Sequence, residues 1–229
     1  MTDLRNVRGV IFDLDGTLLD SMEMWKEIDR EYLARFGLAA PEDLQRRIEG
    51  MSVPDLALWF KQSFSIPDSP DKIIADWNAM AREEYLHRLP LKEGAAALVK
   101  ALADAGIALG IATTNYRDLT EGCLERHGLL PYFSAVVTSR EINRGKPDPE
   151  IYLKAAACMG TAPASCLVFE DIPAGILAGK RAGMQVVAVG DAASADAEEE
   201  KRQMADEFVL TPGDWLRLHA ADISRLKEE

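Results

Sequence analysis

Residues 10–21 read VIFDLDGTLLDS, an apolar run of Val10 to Phe12 with Leu14 that is interrupted by Asp13 and Asp15. Apolar residues this closely spaced suit a strand buried on both faces of a parallel sheet. Two carboxylates two residues apart, where such a strand should end, are costly unless something positive meets them.

Working outward from this stretch, short apolar runs alternate with amphipathic helical patterns, which predicts βαβ units and an α/β fold on a Rossmann-like parallel sheet. Strands are expected at 9–13, 107–113, 135–138, 166–170, 185–189 and 207–210. Helical patterns at 94–105, 119–127, 150–159 and 174–182 precede the second to fifth of these. Gly106, Gly128, Gly160 and Gly183 follow those helices, where a residue free to take positive φ ends a helix well.

The interval between the first and second strands is different. It offers no convincing strand but has helical patterns at 22–36, 41–48, 53–62 and 71–88. Trp25, Tyr32, Phe36, Trp59, Phe60, Phe64, Trp77 and Tyr85 put most of the aromatic side chains there, as the expected core of a small helical domain. The interval is too long for a simple crossover. Residues 1–18 and 92–229 are therefore expected to form the sheet domain and 19–91 an inserted helical cap domain, with hinges near 18–21 and 88–93. The run ASADAEEEKRQMADE (193–207) is expected to be a solvated helix face.

Composition narrows the function classes. The 229 residues, 48% hydrophobic and 28% charged, suffice for one large domain or a domain carrying an insert. The net charge of −12 opposes binding to nucleic acid and to anionic membrane surfaces, while leaving room for a small anionic substrate in a locally positive pocket. Cys123, Cys158 and Cys166 form no C-x-x-C pair, which points to reduced thiols. The N-terminal MTDLRNVRG has no signal-peptide pattern, and no stretch approaches the ~18 apolar residues of a membrane span. A cytoplasmic protein, monomeric by default, is expected.

Ligands of an open parallel sheet bind beyond the carboxyl ends of its strands, and polar residues gather there. Asp13 and Asp15 follow the first strand, Thr113, Thr114 and Asn115 the second, and Glu170 and Asp171 end the fourth. Lys146 lies in the loop RGKPDP after the third. Hard oxygen donors of this kind suit Mg²⁺, which binds through a few carboxylates plus a substrate phosphate. Thr113 and Lys146 are placed to hold phosphate oxygens. Each element has a plainer reading. DLDG could be a turn or part of a calcium loop, but Leu18 and Leu19 stand where further ligands would be needed. TTN could be a helix cap, Lys146 a solvated side chain, and Glu170 with Asp171 a charged helix start. Their convergence at successive strand ends favours a site.

FDLDGT at 12–17, IATTN at 111–115, GKPDP at 145–149 and FEDIPAGI at 169–176 resemble, in order and spacing, the four motifs of the haloacid dehalogenase superfamily. The resemblance covers nearly the whole chain and is nearest to the branch of β-phosphoglucomutase and small sugar-phosphate phosphatases. It implies Asp13 as a nucleophile forming an aspartyl-phosphate and Asp15 as general acid and base. It implies Mg²⁺ bound by the Asp13 carboxylate, the Asp15 carbonyl and Asp171, with Glu170 directly or through water. Thr113, the Thr114 backbone and Lys146 would stabilise the transferring phosphoryl group.

A phosphomutase of this branch holds a second phosphate in its cap, with a His twelve residues after the nucleophile and a Lys-Gly-x-Ser-Arg type stretch. Here those places hold Trp25 and, in EGMSV, Glu49 and Val53 around Gly50 and Ser52. Loss of the basic groups and the acidity of Glu49 oppose a second phosphate. The resemblance therefore implies first a Mg²⁺-dependent phosphatase of a small sugar or polyol phosphate. Trp25, Glu49 and Gly50 are its candidate substrate contacts, against packing for Trp25 and solvation for Glu49. An intramolecular phosphomutase is the alternative, and a catalytically silent phosphometabolite-binding protein a third. His87 and His127 are expected to be structural, and His219 to lie on the surface.

Overall fold

The computed structural model describes residues 2–48 and 51–226. In chain order its elements are β1 (Gly9–Phe12), α1 (Met22–Ala34), α2 (Leu44–Ile48), α3 (Val53–Ser63), α4 (Pro70–His87), α5 (Ala95–Asp104), β2 (Ala108–Thr113) and α6 (Arg117–Arg126). There follow β3 (Ala135–Thr138), α7 (Glu150–Cys158), β4 (Cys166–Glu170), α8 (Pro173–Arg181), β5 (Gln185–Val189), α9 (Glu198–Met204), β6 (Glu207–Val209) and α10 (Pro212–Leu226).

All six strands are parallel, in the order β3-β2-β1-β4-β5-β6. β1 is central: its Phe12 pairs with Ile111 on one side and Phe169 on the other. Its four residues GVIF are all buried, as a central parallel strand with both faces covered requires. Alternation sorts the side chains between two cores. Val10 and Phe12 join the core under α5, α6 and α10, whereas Ile11 joins that under α7 and α8. The connection from β1 leads to one side of the sheet and that from β3 crosses to the other, so the topological switch falls at the carboxyl ends of β1 and β4.

Helices α1 to α4 lie between β1 and β2. Ser52 and Ser69 cap α3 and α4, each accepting a hydrogen bond from a backbone amide three residues on, with proline in the first turn. Tyr32, Phe60, Trp77 and Tyr85 are buried among these helices, and Phe60 and Trp77 meet edge to face at 4.9 Å. The two chain crossings into the insert bond to each other: Asp20 N donates to Pro90 O (3.1 Å) and Lys92 N to Leu18 O (2.9 Å).

Two expectations fail. His219 is buried, not superficial: its ring stacks on Trp215 at 4.4 Å and a partner twelve residues earlier, Glu207, meets its Nε2 at 3.0 Å. The run 193–207 is likewise not wholly solvated. Lys201 of α9 is buried and donates to the carbonyls of Asp171 (2.9 Å) and Val189 (3.2 Å) and to Ser194 (3.0 Å). His127 is structural as expected, its Nε2 lying 3.0 Å from Leu89 O. His87 is exposed beside Glu83. No described helix is long and apolar enough to cross a membrane.

Helix α10 carries Trp215 against Phe169 of β4, with ring centroids 5.1 Å apart. Trp215→Ala should therefore destabilise the protein by about 3–5 kcal/mol in urea denaturation, the range for emptying a large aromatic core site.

Candidate active site

β1, β2 and β4 end side by side, so their registers decide which side chains meet. Because Phe12 pairs with Phe169, Asp13 and Glu170 are neighbours, and Asp13 N donates to Phe169 O at 2.9 Å. One oxygen from each of Asp13, Glu170 and Asp171 lies within 4.8 Å of the others, and all three residues are buried. Lys146 reaches in from the loop after β3 and places its ammonium 2.6 Å from Asp13 and 2.6 Å from Glu170. Tyr152 of α7 donates to Glu170 from below. The other Glu170 oxygen accepts from the amides of Asp171 (3.1 Å) and Ile172 (3.2 Å) at the start of α8.

Three buried carboxylates against one ammonium leave an excess of negative charge. Burial first, and then Glu170 and Asp15, push Asp13 up to about 8 although Lys146 pulls it down. Burial and the charges of Glu170 and Asp13 hold Asp171 well above the usual carboxylate range. Burial alone would depress Lys146, but Asp13 and Glu170 outweigh it and hold the ammonium charged. A dry, all-oxygen cluster with uncompensated charge fits a hard divalent cation such as Mg²⁺, with Asp13 and Asp171 best placed to ligate it. Glu170 is largely committed to Lys146, Tyr152 and the helix start.

The turn after β1 is shaped for this cluster. Gly16 has φ +77°, and a Cβ there would stand 2.1 Å from Asp171 Oδ2. Thr17 donates to the other Asp171 oxygen at 3.2 Å. A Cβ at Gly175 would collide with Glu170 at 2.0 Å.

Asp15 sits in a separate environment. One of its oxygens accepts from Ser21 (2.6 Å), Tyr85 and Trp25 Nε1 (3.4 Å), and the other from Asn115 (2.9 Å). The Tyr85 hydroxyl in turn accepts from Trp25 (2.9 Å) and Asn115 (2.6 Å). Trp25 thus reaches Asp15 and does not only pack the insert. Thr113 is buried and accepts from Asn115 N at 3.1 Å; Thr114 is half-buried on the cavity wall. Glu49 and Gly50 lie outside the described residues.

Asp13, Asp15, Trp25, Thr113, Thr114, Asn115, Lys146, Glu170 and Asp171 line a cavity of about 930 Å³ between the sheet ends and the helical insert, within the range for small-molecule sites. Sequence reasoning missed Ser21, Tyr85, Tyr152, Lys201 and Asp29. Asp29, one turn beyond Trp25 on α1, is 6% exposed, and Gln45 is its one hydrogen-bond donor among the described residues (2.7 Å). Burial pushes its carboxyl up to about 7. Its signal was the spacing from Trp25 on one helix face.

An acidic crevice at the switch point of a doubly wound sheet, with a buried lysine opposing the leading aspartate, defines an α/β enzyme-type site. A model of the haloacid dehalogenase-like hydrolases matches residues 10–189, and the chain belongs to that family. It is 34% identical over 188 residues, covering 82% of this chain and 87% of the other, to validoxylamine A 7′-phosphate phosphatase of Streptomyces hygroscopicus subsp. limoneus. It is 35% identical over 189 residues, 80% of this chain and 82% of the other, to hexitol phosphatase A of Escherichia coli K12. In fold it is similar to β-phosphoglucomutase from Clostridium difficile, with TM-score 0.80, 18% identity, and 96% and 97% of the two chains covered.

Gly16→Ala should lose at least about 1 kcal/mol in thermal unfolding, since both its φ and the Asp171 contact are violated. The parent's Asp29 binds its proton more tightly folded than unfolded, so it lowers stability as pH rises from about 4 to about 7. Asp29→Asn removes that loss. Relative to the parent, the Asp29→Asn protein should gain about 2–4 kcal/mol between pH 4 and pH 8, read from denaturation at both.

Proposed function

We propose that the protein is a Mg²⁺-dependent phosphatase of a small phosphate monoester, with a sugar or polyol as leaving group. The observation that carries this is the split between the two aspartates. Asp13 is buried at the carboxyl end of the central strand, among Lys146, Glu170 and Asp171. Asp15 is half-buried, two residues on, and hydrogen-bonded apart from that cluster. One carboxylate is therefore set among cation-holding groups and the other among hydroxyl and amide donors, as two different chemical roles require.

In this reading Asp13 attacks phosphorus, and Asp15 protonates the departing sugar oxygen and then takes a proton from the attacking water. Lys146, the Thr113 hydroxyl and the Thr114 backbone hold the phosphoryl oxygens as charge spreads over them. Mg²⁺, when bound by Asp13, the Asp15 carbonyl and Asp171, supplies charge neutralisation and keeps Asp13 ionised. The names of both relatives, each a phosphatase acting on a phosphorylated small molecule, support the class.

Phosphomutase is the weaker reading. Trp25 occupies the place where the mutases carry a proton-handling His, and its indole is engaged with Tyr85 and Asp15. We also take 19–91 as a cap domain hinged on 1–18 and 92–229, a division that the paired crossings at Leu18–Lys92 and Asp20–Pro90 support. Free thiols at Cys123, Cys158 and Cys166 support a reducing, cytoplasmic setting, and a monomer is the simplest state.

Phosphate release from a panel of sugar and polyol phosphates should require Mg²⁺ and stop with a chelator. Asp13→Asn should lower kcat by at least about a thousandfold without unfolding the protein. With p-nitrophenyl phosphate, whose leaving group needs no proton, Asp15→Asn should accumulate a phosphorylated enzyme seen by mass spectrometry. Mg²⁺-independent release, or an active Asp13→Asn protein, would refute the proposal.

A further inference from the structure

The mechanism above uses no group in the far half of the cavity, yet a carboxyl is buried there. Met22, Trp25, Lys26 and Asp29 are the residues of α1 that line the cavity. Trp25 touches Asp15, and Asp29 stands one helical turn, about 5.4 Å, further from the reacting centre. One Asp29 oxygen accepts from Gln45 at 2.7 Å; among the described residues, the other has no hydrogen-bond partner, and Asp29 lines the cavity. A carboxyl more than nine-tenths buried is not kept for solubility, and it makes no ion pair among the described residues. Lys26, the nearest lysine on the helix, turns to Glu23 (3.5 Å), and Arg46 is exposed.

The rest of the wall has the same sign. Among the described residues, nine carboxylates and three basic side chains line the cavity. One of the three, Lys146, is already engaged by Asp13 and Glu170.

We infer that Asp29 and Gln45 form a leaving-group subsite that binds the hydroxyls of an uncharged polyol chain at the end remote from phosphorus and rejects an anion there. This rests on the phosphatase reading and adds the substrate's chemistry. Asp29 accepts from a substrate hydroxyl, while Gln45 orients it and offers its amide carbonyl to a second hydroxyl. At about pH 8, above the value of about 7 to which burial pushes Asp29, a carboxylate or second phosphate in the same place would meet a buried like charge. The span of about one turn from Trp25 suits a leaving group several carbons long.

The test uses two esters of equal length: glucitol 6-phosphate, ending in CH₂OH, and 6-phosphogluconate, ending in a carboxylate. p-Nitrophenyl phosphate serves as an ester without leaving-group hydroxyls. The parent enzyme should prefer glucitol 6-phosphate to 6-phosphogluconate by about a hundredfold in kcat/KM, and Asp29→Asn should narrow this to about tenfold. Asp29→Asn should also lower the ratio of glucitol 6-phosphate to p-nitrophenyl phosphate turnover about tenfold, mainly through KM. Gln45→Leu should move both ratios the same way by less. Ratios unchanged within about twofold in a folded Asp29→Asn protein would overturn the subsite.

The two esters are also titrated calorimetrically into Asp13→Asn, with and without Asp29→Asn. If no ester is turned over, the phosphatase reading falls. A preference for glucitol 6-phosphate that Asp29→Asn abolishes would still uphold the subsite, and equal binding of the two esters would overturn it.

Discussion

Three carboxylates within 4.8 Å of one another, all buried, with a single ammonium among them, is the arrangement on which the rest of the molecule depends. Like charges so close repel strongly in a medium that cannot screen them, and each also gives up its hydration. The fold supplies what offsets this. Parallel strands bring Asp13 and Glu170 level, the start of α8 turns its amides toward Glu170, and the loop after β3 delivers Lys146. The space is closed so tightly that neither Gly16 nor Gly175 has room for a methyl group. Behind the cluster the buried ammonium of Lys201 holds the Asp171 carbonyl, fixing the last carboxylate from the far side. The residual negative charge is what a divalent cation would take up.

The sheet and the gathering of polar residues at its carboxyl ends were legible in the sequence, for a physical reason. A buried parallel strand is a short apolar run, and a polar residue at its end has one place to go. VIFDLD, IATTN and FEDIP therefore announce both the strand and the direction of its terminal side chains. The observed strands fall within one or two residues of expectation: β1 stops at Phe12 instead of 13, and β2 starts at Ala108 instead of 107.

What the sequence concealed lies on helices and in long side chains. Tyr85 and Asp29 occupy faces whose period is the same whether they look into a core or a cavity, so spacing alone does not separate the cases. Trp77 and Tyr85 are both buried on α4, yet only Tyr85 puts its hydroxyl onto Asp15. Lys201 sits in a run of like-looking charges, and its four-carbon stem carries the ammonium inward where its neighbours point out. His219 is polar enough to suggest the surface, but Trp215 beneath it and Glu207 across from it make burial affordable. Sequence patterns report where a backbone goes more faithfully than where a flexible polar side chain ends.

The two halves of the cavity are joined by Asp15. Its carboxylate is gripped from the sheet side by Asn115 and from the insert by Tyr85 and Trp25, so the group to which we assign proton transfer is positioned by both parts of the chain together. A hydrolase and a mutase of this fold differ in what is admitted to that junction after the first transfer. A returning sugar phosphate needs positive charge on the insert side, whereas here α1 presents an indole and a buried carboxyl beside Lys26, and the exposed Glu42 and Asp43 outnumber Arg46. Water needs no such recognition. In the phosphatase we propose, the electrostatics of the wall would favour release of an uncharged leaving group and its replacement by water, and the same surface that disfavours a second phosphate would hold a polyol chain through its hydroxyls.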